Sequence, residues 1–359
     1  MSDPSSDAPQ ASSAPTCDDE IERLVHDRRT LRLGLGVTIV FLIALLYDWP
    51  LAYLAPAFAS PLLQTPSGPS LRGTIRTFLA TVAVSLACLF AARVSHLFPV
   101  LFLVAIFPVM FWTFRFGLRG GSPLIMWTAL VGLMLVPMVA DTTAEVTRKV
   151  AWSLVQDIGI SLVIALVMYA LLPPLPAEAS SAKQEPALPE PEVTRRSAIL
   201  TVITGFYAVA YFSFGWTNVH TPIYIAIYAF SLDLSRGTRA IKGILAANIV
   251  GGILAIVLYQ LTRMTPYLPF VMVMVLTVNL ILARFITAKV SWAPLAGFVL
   301  SVVMILYGES ILPFGDSGGS NFTDRFGELA MAAIWAVGAL YVLTAYFPQK
   351  PVADSPLTN

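Results

Sequence analysis

Two acidic side chains lie where a carboxylate is costly, in or beside long apolar segments: Asp157 lies inside one such segment and Glu328 near the start of another. A charged group at the centre of a bilayer costs about 2.5–3.5 kcal/mol on insertion scales, so it usually faces a cavity or a partner. A carboxyl group sheltered from water binds a proton more readily than an exposed one. We therefore predict that Asp157 and Glu328 carry protons. The alternative is structural ion pairing, with Arg148 or Lys149 for Asp157 and with Arg325 for Glu328.

Two short apolar segments each contain a proline that follows a tryptophan, namely Trp49 with Pro56 and Trp216 with Pro222. Proline lacks a backbone donor and leaves a carbonyl unpaired. Within lipid, such a break is tolerated only against protein or a water-filled cavity. Matching breaks in both halves of a membrane protein point to a transport site. We predict that these four residues line a substrate path, and the alternative is a pair of packing kinks.

Cationic side chains gather where two further apolar segments begin. An Arg-Gly-Thr triplet starts at Arg72 and another at Arg236, followed by Arg76 and by Lys242. Cations beside a helix N-terminus attract anions, because the helix dipole adds positive potential there. We predict that these four cations belong to the substrate path, and a role in setting membrane topology is a compatible alternative. Asn248 is a further path candidate, for which an interhelical hydrogen bond is the alternative.

Composition assigns these segments to a membrane. Hydrophobic residues form 57% of the 359-residue chain, charged residues form 12%, and the mean hydropathy is +0.76. A soluble domain is about 25% charged, so lipid must be the solvent of this chain. The net charge of +1 argues against a nucleic-acid partner. The fold class is predicted to be an all-α polytopic membrane protein.

Apolar segments and paired motifs predict about twelve transmembrane helices in two parallel six-helix repeats, because the motifs recur at about 165–175 residues. The predicted parts are a cytoplasmic N-terminal tail with a short amphipathic helix (1–30), a first membrane repeat (31–172), a cytoplasmic linker (173–196), a second membrane repeat (197–348) and a cytoplasmic C-terminal tail (349–359). The second segment of each repeat either crosses fully or is re-entrant. Rows of small residues, such as Gly243 to Ala255, predict that the third helix of each repeat packs centrally.

Charge gives the predicted orientation. With twelve crossings and a cytoplasmic N-terminus, 17 of the 22 lysines and arginines fall on the cytoplasmic side, as the positive-inside rule requires. Both termini are therefore predicted to be cytoplasmic, in a bacterial inner membrane. Residues 308–325, which include Glu309, are predicted to form the longest outer loop.

Enzymatic chemistry finds no support in the residue pattern. No histidine, cysteine and carboxylate spacing suggests a metal site, and no Ser–His–Asp order suggests hydrolysis. The chain also lacks a glycine-rich phosphate loop, so ATP is not predicted as the direct energy source. We predict no enzyme activity and no cofactor.

Several motifs occur in a familiar order. An arginine leads the first segment in Arg32-Leu33-Gly34-Leu35-Gly36, then Trp49-Pro50 and Ala55-Pro56 follow, and then the Arg-Gly-Thr triplet. Over roughly residues 25–350 this pattern resembles the fusaric acid resistance and aromatic acid exporter superfamily. That resemblance implies an inner-membrane pump that expels aromatic carboxylic acids or similar toxic organic anions, driven by protons. It also implies a periplasmic adaptor protein and an outer-membrane channel as partners.

Three functions remain open at this stage. The first is proton-driven efflux of small organic anions by an adaptor-linked permease. The second is a passive organic-anion channel, and the third is a non-transporting scaffold of an envelope complex. A homo-oligomer is compatible with each of them.

Overall fold

The structure is a computed structural model that describes residues 17–47, 49–141, 143–175, 188–214, 238–288 and 293–311, with positions 221 and 225 and parts of 327–339. The described part is helical, without strands. Its helices are α1 Cys17–Tyr47, α2 Ala55–Gln64, α3 Leu71–Leu97, α4 Pro99–Leu118, α5 Pro123–Met138, α6 Ala144–Leu171, α7 Glu190–Phe214, α8 Thr238–Met264, α9 Leu268–Thr287 and α10 Ala293–Ile311. Short 3-10 turns cover Ala52–Leu54 and Val139–Asp141.

Helix length and composition make the chain a multi-pass membrane protein. Within the described ranges, seven helices are long and apolar enough to cross a bilayer: α1, α3, α4, α6, α7, α8 and α9. Helix α5 and the apolar part of α10, Leu295–Ile311, are shorter. Most residues of 215–237 and of 312–347 lie outside the described part of the chain. The described residues therefore contain fewer membrane-spanning helices than the twelve predicted, and the number twelve stays a prediction.

The first helix differs from its prediction. We expected a separate amphipathic helix on the membrane surface before residue 31, whereas α1 runs without a break from Cys17 to Tyr47. The chain has neither proline nor glycine between Cys17 and Gly34, so nothing interrupts helix propagation. The side chains of Ile21 and Leu24 are exposed on this extension.

The chain then breaks its helix inside the protein. Leu51 adopts a left-handed backbone with φ 63°, and the 3-10 turn leads into α2. Helix α2 has only 10 residues, about 15 Å at 1.5 Å per residue, against a hydrocarbon core of about 30 Å. It packs against α1, α6 and α10, and its residues from Ala55 to Ser60 are buried. The protein thus surrounds the broken backbone, as a lipid environment requires.

Helix pairing follows a recurring pattern. Helix α1 packs against α9, and α7 packs against α4. Helix α3 packs against α5, and α8 packs against α10. Helices α3 and α8 both have 27 residues, and α4 and α9 both have 20.

The rows of small residues form packing faces, but the helices that carry them are not central. A Cβ added at Gly251 would lie 2.8 Å from Cγ1 of Val302 on α10, so α8 and α10 approach closely there. On α3 the buried row includes Thr81 and Ser85. The remaining faces of both helices are largely exposed: only 22% of the apolar stretch of α3 and 33% of that of α8 is buried. Both helices therefore have a largely exposed face, which corrects the expected central position.

Two polar stretches also lie differently from the prediction. Helix α7 begins at Glu190, inside the stretch predicted as linker, and the Glu190 carboxylate lies 2.7 Å from Arg115 and 2.8 Å from Arg119. The hydrogen bond to Glu190 raises the pKa of Arg119. Glu309, expected in an outer loop, instead belongs to the last turn of α10 and is 1% exposed. Next to it, Gly308 packs on Tyr53 of the 3-10 turn, so protein rather than water surrounds this turn.

Candidate functional site

A buried acid and the helix break meet in the middle of α6. The indole Nε1 of Trp49 donates a 2.7 Å hydrogen bond to Oδ1 of Asp157. Asp157 is fully buried near the midpoint of the 28-residue helix α6. Its second oxygen, Oδ2, is buried and has no hydrogen-bond partner within the described chain. One oxygen is therefore held by a neutral donor, and the other is the position at which a proton can reside.

Local backbone structure brings Trp49 to this depth. Helix α1 ends at Tyr47, and Trp49 lies in the short segment between α1 and α2. From there its indole contacts Asp157 of α6. The Ser161 hydroxyl lies 2.9 Å from the Ala55 carbonyl oxygen and 2.6 Å from the Asp157 carbonyl oxygen, either of which it can donate to. Pro56 occupies the first turn of α2, where its missing N–H costs no helical hydrogen bond. The turn is thus fixed against α6 on both sides of the break.

The predicted ion-pair alternative for Asp157 does not form. Lys149 pairs with Glu145, at 2.8 Å on the protein surface. Arg148 is exposed and lies nine residues before Asp157, about 13 Å along the helix. Both candidate bases are therefore at the polar start of α6, away from the buried acid.

Glu328, the acid predicted in the second half, is partly buried, whereas Asp157 is fully buried. Glu328 acts electrostatically on Tyr207 of α7, and Thr221 is a hydrogen-bonding neighbour of the same tyrosine. Thr221 belongs to the second short apolar segment and is fully buried. Tyr207 thus brings the predicted acid close to that segment. Trp216, Pro222 and Arg325 lie outside the described residues.

The predicted cations are not part of the Trp49–Asp157 pair. Arg72 and Arg76 are exposed in the first turns of α3, whose N-terminus is capped by the Ser70 hydroxyl, which accepts a 3.1 Å hydrogen bond from the Gly73 amide. Lys242 lies on α8, where its side chain is not described, and Arg236 is outside the described residues. Asn248 is buried on α8.

Sequence reasoning missed a buried amide. Asn279 of α9 is fully buried, and its Nδ2 donates a 3.0 Å hydrogen bond to the Thr38 hydroxyl, which donates to the Gly34 carbonyl. The Asn279 Oδ1 atom has no partner within the described chain. A lone amide in an apolar run, the signal that singled out Asn248, would have found it.

Sequence reasoning also missed the burial of a cationic side chain. From the sequence, Arg32 was a topology charge and the first residue of a motif, and its burial was not predicted. It is fully buried and stacks at 4.1 Å over the Tyr169 ring. Its Nη1 lies 3.4 Å from the Leu172 carbonyl oxygen after the end of α6. The Tyr169 hydroxyl in turn hydrogen-bonds to Thr65, just after α2. This cluster joins the middle of α1 to the ends of α2 and α6.

Comparison with known proteins gives one match. Residues 29–172 match a family described as "Protein of unknown function (DUF2955)". No curated protein and no solved structure matches the chain. That description names no activity, so the resemblance to aromatic acid exporters remains a prediction. Across the described part of the chain, no group of three or more histidine, cysteine or acidic residues could hold a metal ion.

Proposed function

We propose that this protein is an inner-membrane transporter that exports small organic anions, aromatic carboxylates among them, in exchange for protons. Asp157 carries the proton in the first half and Glu328 carries it in the second. The observation that supports this most is the contact between Trp49 and Asp157. An acid within a membrane helix that meets a broken helix is a typical feature of ion and proton sites in transporters.

The two halves are proposed to be structural repeats. In the α1–α9 and α7–α4 contacts, the first long helix of one half packs against the third long helix of the other half. The α3–α5 and α8–α10 contacts repeat one pairing within each half. Two related units with the same internal packing would produce this pattern. The family match over 29–172 also has almost the bounds predicted for the first repeat, 31–172. Six crossings per repeat and cytoplasmic termini follow from this proposal with the positive-inside rule.

The partners of this transporter follow from its resemblance to exporters. A periplasmic adaptor and an outer-membrane channel would carry the released anion out of the cell. Neither is needed for the proton exchange itself, so the transport step can be tested on the isolated protein.

Asp157→Asn is the central test, because it removes the proton site and keeps the oxygen that accepts from Trp49. The matched control is Glu145→Gln, on the exposed first turn of the same helix. Everted membrane vesicles with an acidified lumen are expected to accumulate labelled benzoate and salicylate through the wild type and E145Q, and an uncoupler should abolish uptake. D157N should show no uptake at equal membrane abundance. Normal uptake by D157N would refute the proton-carrier assignment.

The same vesicles distinguish the passive channel. A channel passes anions down their own gradient, so benzoate flux would persist when the proton gradient is collapsed. That outcome would contradict coupled export and support the channel. Absence of flux for every aromatic carboxylate, with adaptor binding intact, would instead support a scaffold.

A further inference from the structure

We infer that a seam of polar groups between α2 and α6 conducts protons between Asp157 and the end of the bundle that carries Arg29, Arg32 and Arg284. This inference rests on the proposed function, since it describes the route by which the Asp157 proton leaves. We call these groups the α2–α6 seam: Ser161 on α6, the carbonyls of Ala55 and Ala57, and the side chains of Ser60 and Gln64 on α2.

The seam starts one helical turn from the acid. Ser161 lies four residues after Asp157, so both side chains are on one face of α6. The Ser161 hydroxyl lies within donating distance of the Ala55 carbonyl, at 2.9 Å. The same hydroxyl lies 2.6 Å from the backbone carbonyl of Asp157 and is not bonded to the carboxylate. A hydroxyl can accept one proton and donate another, so a water between Asp157 Oδ2 and Ser161 would join the acid to the start of α2.

Proline extends the seam along α2. Pro61 lies inside α2 and has no N–H to give to the carbonyl four residues earlier, that of Ala57. That carbonyl is therefore left without its helical donor in a buried segment, where water or a hydroxyl is needed to satisfy it. The proline thus provides an acceptor between Ala55 and Ser60.

Two side chains complete the seam. Ser60 is fully buried, and its hydroxyl accepts a 2.9 Å hydrogen bond from Nε2 of Gln64, one turn further along α2. Ser60 is five residues from Ala55, about 7.5 Å along the helix axis. One or two waters bound to the Ala57 carbonyl would bridge that distance.

The seam ends at a polar recess. Gln64 lines a recess of about 80 Å³ together with Arg29, Leu33, Leu63, Ile286 and Thr287, which is room for several waters. The Thr287 and Thr30 hydroxyls join at 2.8 Å beside it. Water in the recess would exchange protons with the seam. Because the positive-inside rule puts this arginine-bearing end in the cytoplasm, Asp157 would release its proton there.

Substitution of Ser60 tests the seam without touching the acid. Ser60→Ala should lower the rate of proton-driven benzoate uptake several-fold, leave KM for benzoate unchanged and enlarge the solvent deuterium isotope effect. Ser60→Thr keeps a hydroxyl and should restore the rate. The control is Ser153→Ala, a buried serine one helical turn before Asp157, whereas Ser161 is one turn after it; the Ser153 hydroxyl donates to the Val150 carbonyl. If S60A and S153A behave alike, the seam does not conduct protons.

Water access gives a readout independent of transport. In a Cys17→Ser background, Gln64→Cys should react with a small charged methanethiosulfonate added from the cytoplasmic side, while Ser153→Cys should not. No reaction at position 64 would show that water does not reach the recess, and it would overturn the seam. An inactive D157N with an unaltered S60A would overturn the seam alone, whereas an active D157N would overturn the proposed function.

Discussion

The side chains of Trp49 and Asp157 are 108 positions apart in the chain and 2.7 Å apart in the structure, joined by an indole hydrogen bond. Trp49 follows the end of α1, and Asp157 is the buried acid of α6. The turn between α1 and α2 is therefore positioned by the same residue that is proposed to exchange a proton. A change in the charge of Asp157 would change the strength of the hydrogen bond that holds Trp49 at the helix break.

Trp49→Phe should destabilise the protein by about 1–3 kcal/mol, because it leaves the buried Oδ1 of Asp157 without its donor. Thermal unfolding in detergent measures this loss. Trp112→Phe is the matched control, since Trp112 is exposed on α4 and should change stability by less than about 0.5 kcal/mol. Equal losses for the two variants would contradict the role of the hydrogen bond.

The Thr38–Asn279 pair should respond asymmetrically. Thr38→Val leaves the Asn279 amide without its acceptor and should cost about 1 kcal/mol or more. Asn279→Leu removes the amide together with its unpaired Oδ1, and the Thr38 hydroxyl keeps its bond to Gly34. N279L should therefore be the milder change in the same unfolding assay. A larger loss for N279L would indicate that Oδ1 has a partner of functional importance.

Gly251→Ala should separate α8 from α10. Its new methyl group would lie 2.8 Å from Val302 Cγ1, and overpacking of this kind costs about 1–3 kcal/mol. Gly327→Ala has open space around the added Cβ and is the control. Combining G251A with Val302→Ala should recover part of the stability, and a purely additive double variant would argue against this contact.

Cys88 should be inert in the folded protein. Its thiol is buried between α3 and α5, where a Cβ on Gly132 would lie 2.8 Å from Sγ. In a Cys17→Ser variant, maleimide should label the protein only after denaturation in SDS. Rapid labelling of the native protein would contradict the α3–α5 packing.

Reporter fusions test the orientation of the two repeats. A fusion within the predicted linker 173–196 should be active as a cytoplasmic reporter, as should a fusion at the C-terminus. Periplasmic activity at the linker would mean that the two halves do not face the same way. The repeat assignment would then be wrong, while the Trp49–Asp157 contact would stand.

Much of the helix pattern was predictable, because lipid demands long apolar helices that satisfy their own backbone. The two apolar segments expected to begin at the Arg-Gly-Thr triplets are α3, Leu71–Leu97, and α8, Thr238–Met264. The prediction was wrong where a charged residue was assumed to be exposed to solvent. Glu309 was assigned to an outer loop, yet it is buried in α10. The residues around a charged side chain in the sequence indicate that its burial costs free energy. They do not identify the side chains from other helices whose contacts offset that cost.

By itself, the sequence determined the class of this protein, the positions of its apolar helices, the break near Pro56 and the candidacy of Asp157. The tertiary structure decided that Trp49 contacts Asp157, that Arg32 is buried against Tyr169 and that α3 and α8 have largely exposed faces. The reason is physical. Apolar length and proline act along the chain, whereas a hydrogen bond between distant residues depends on how whole helices pack, and any of several packings would suit the same apolar segments.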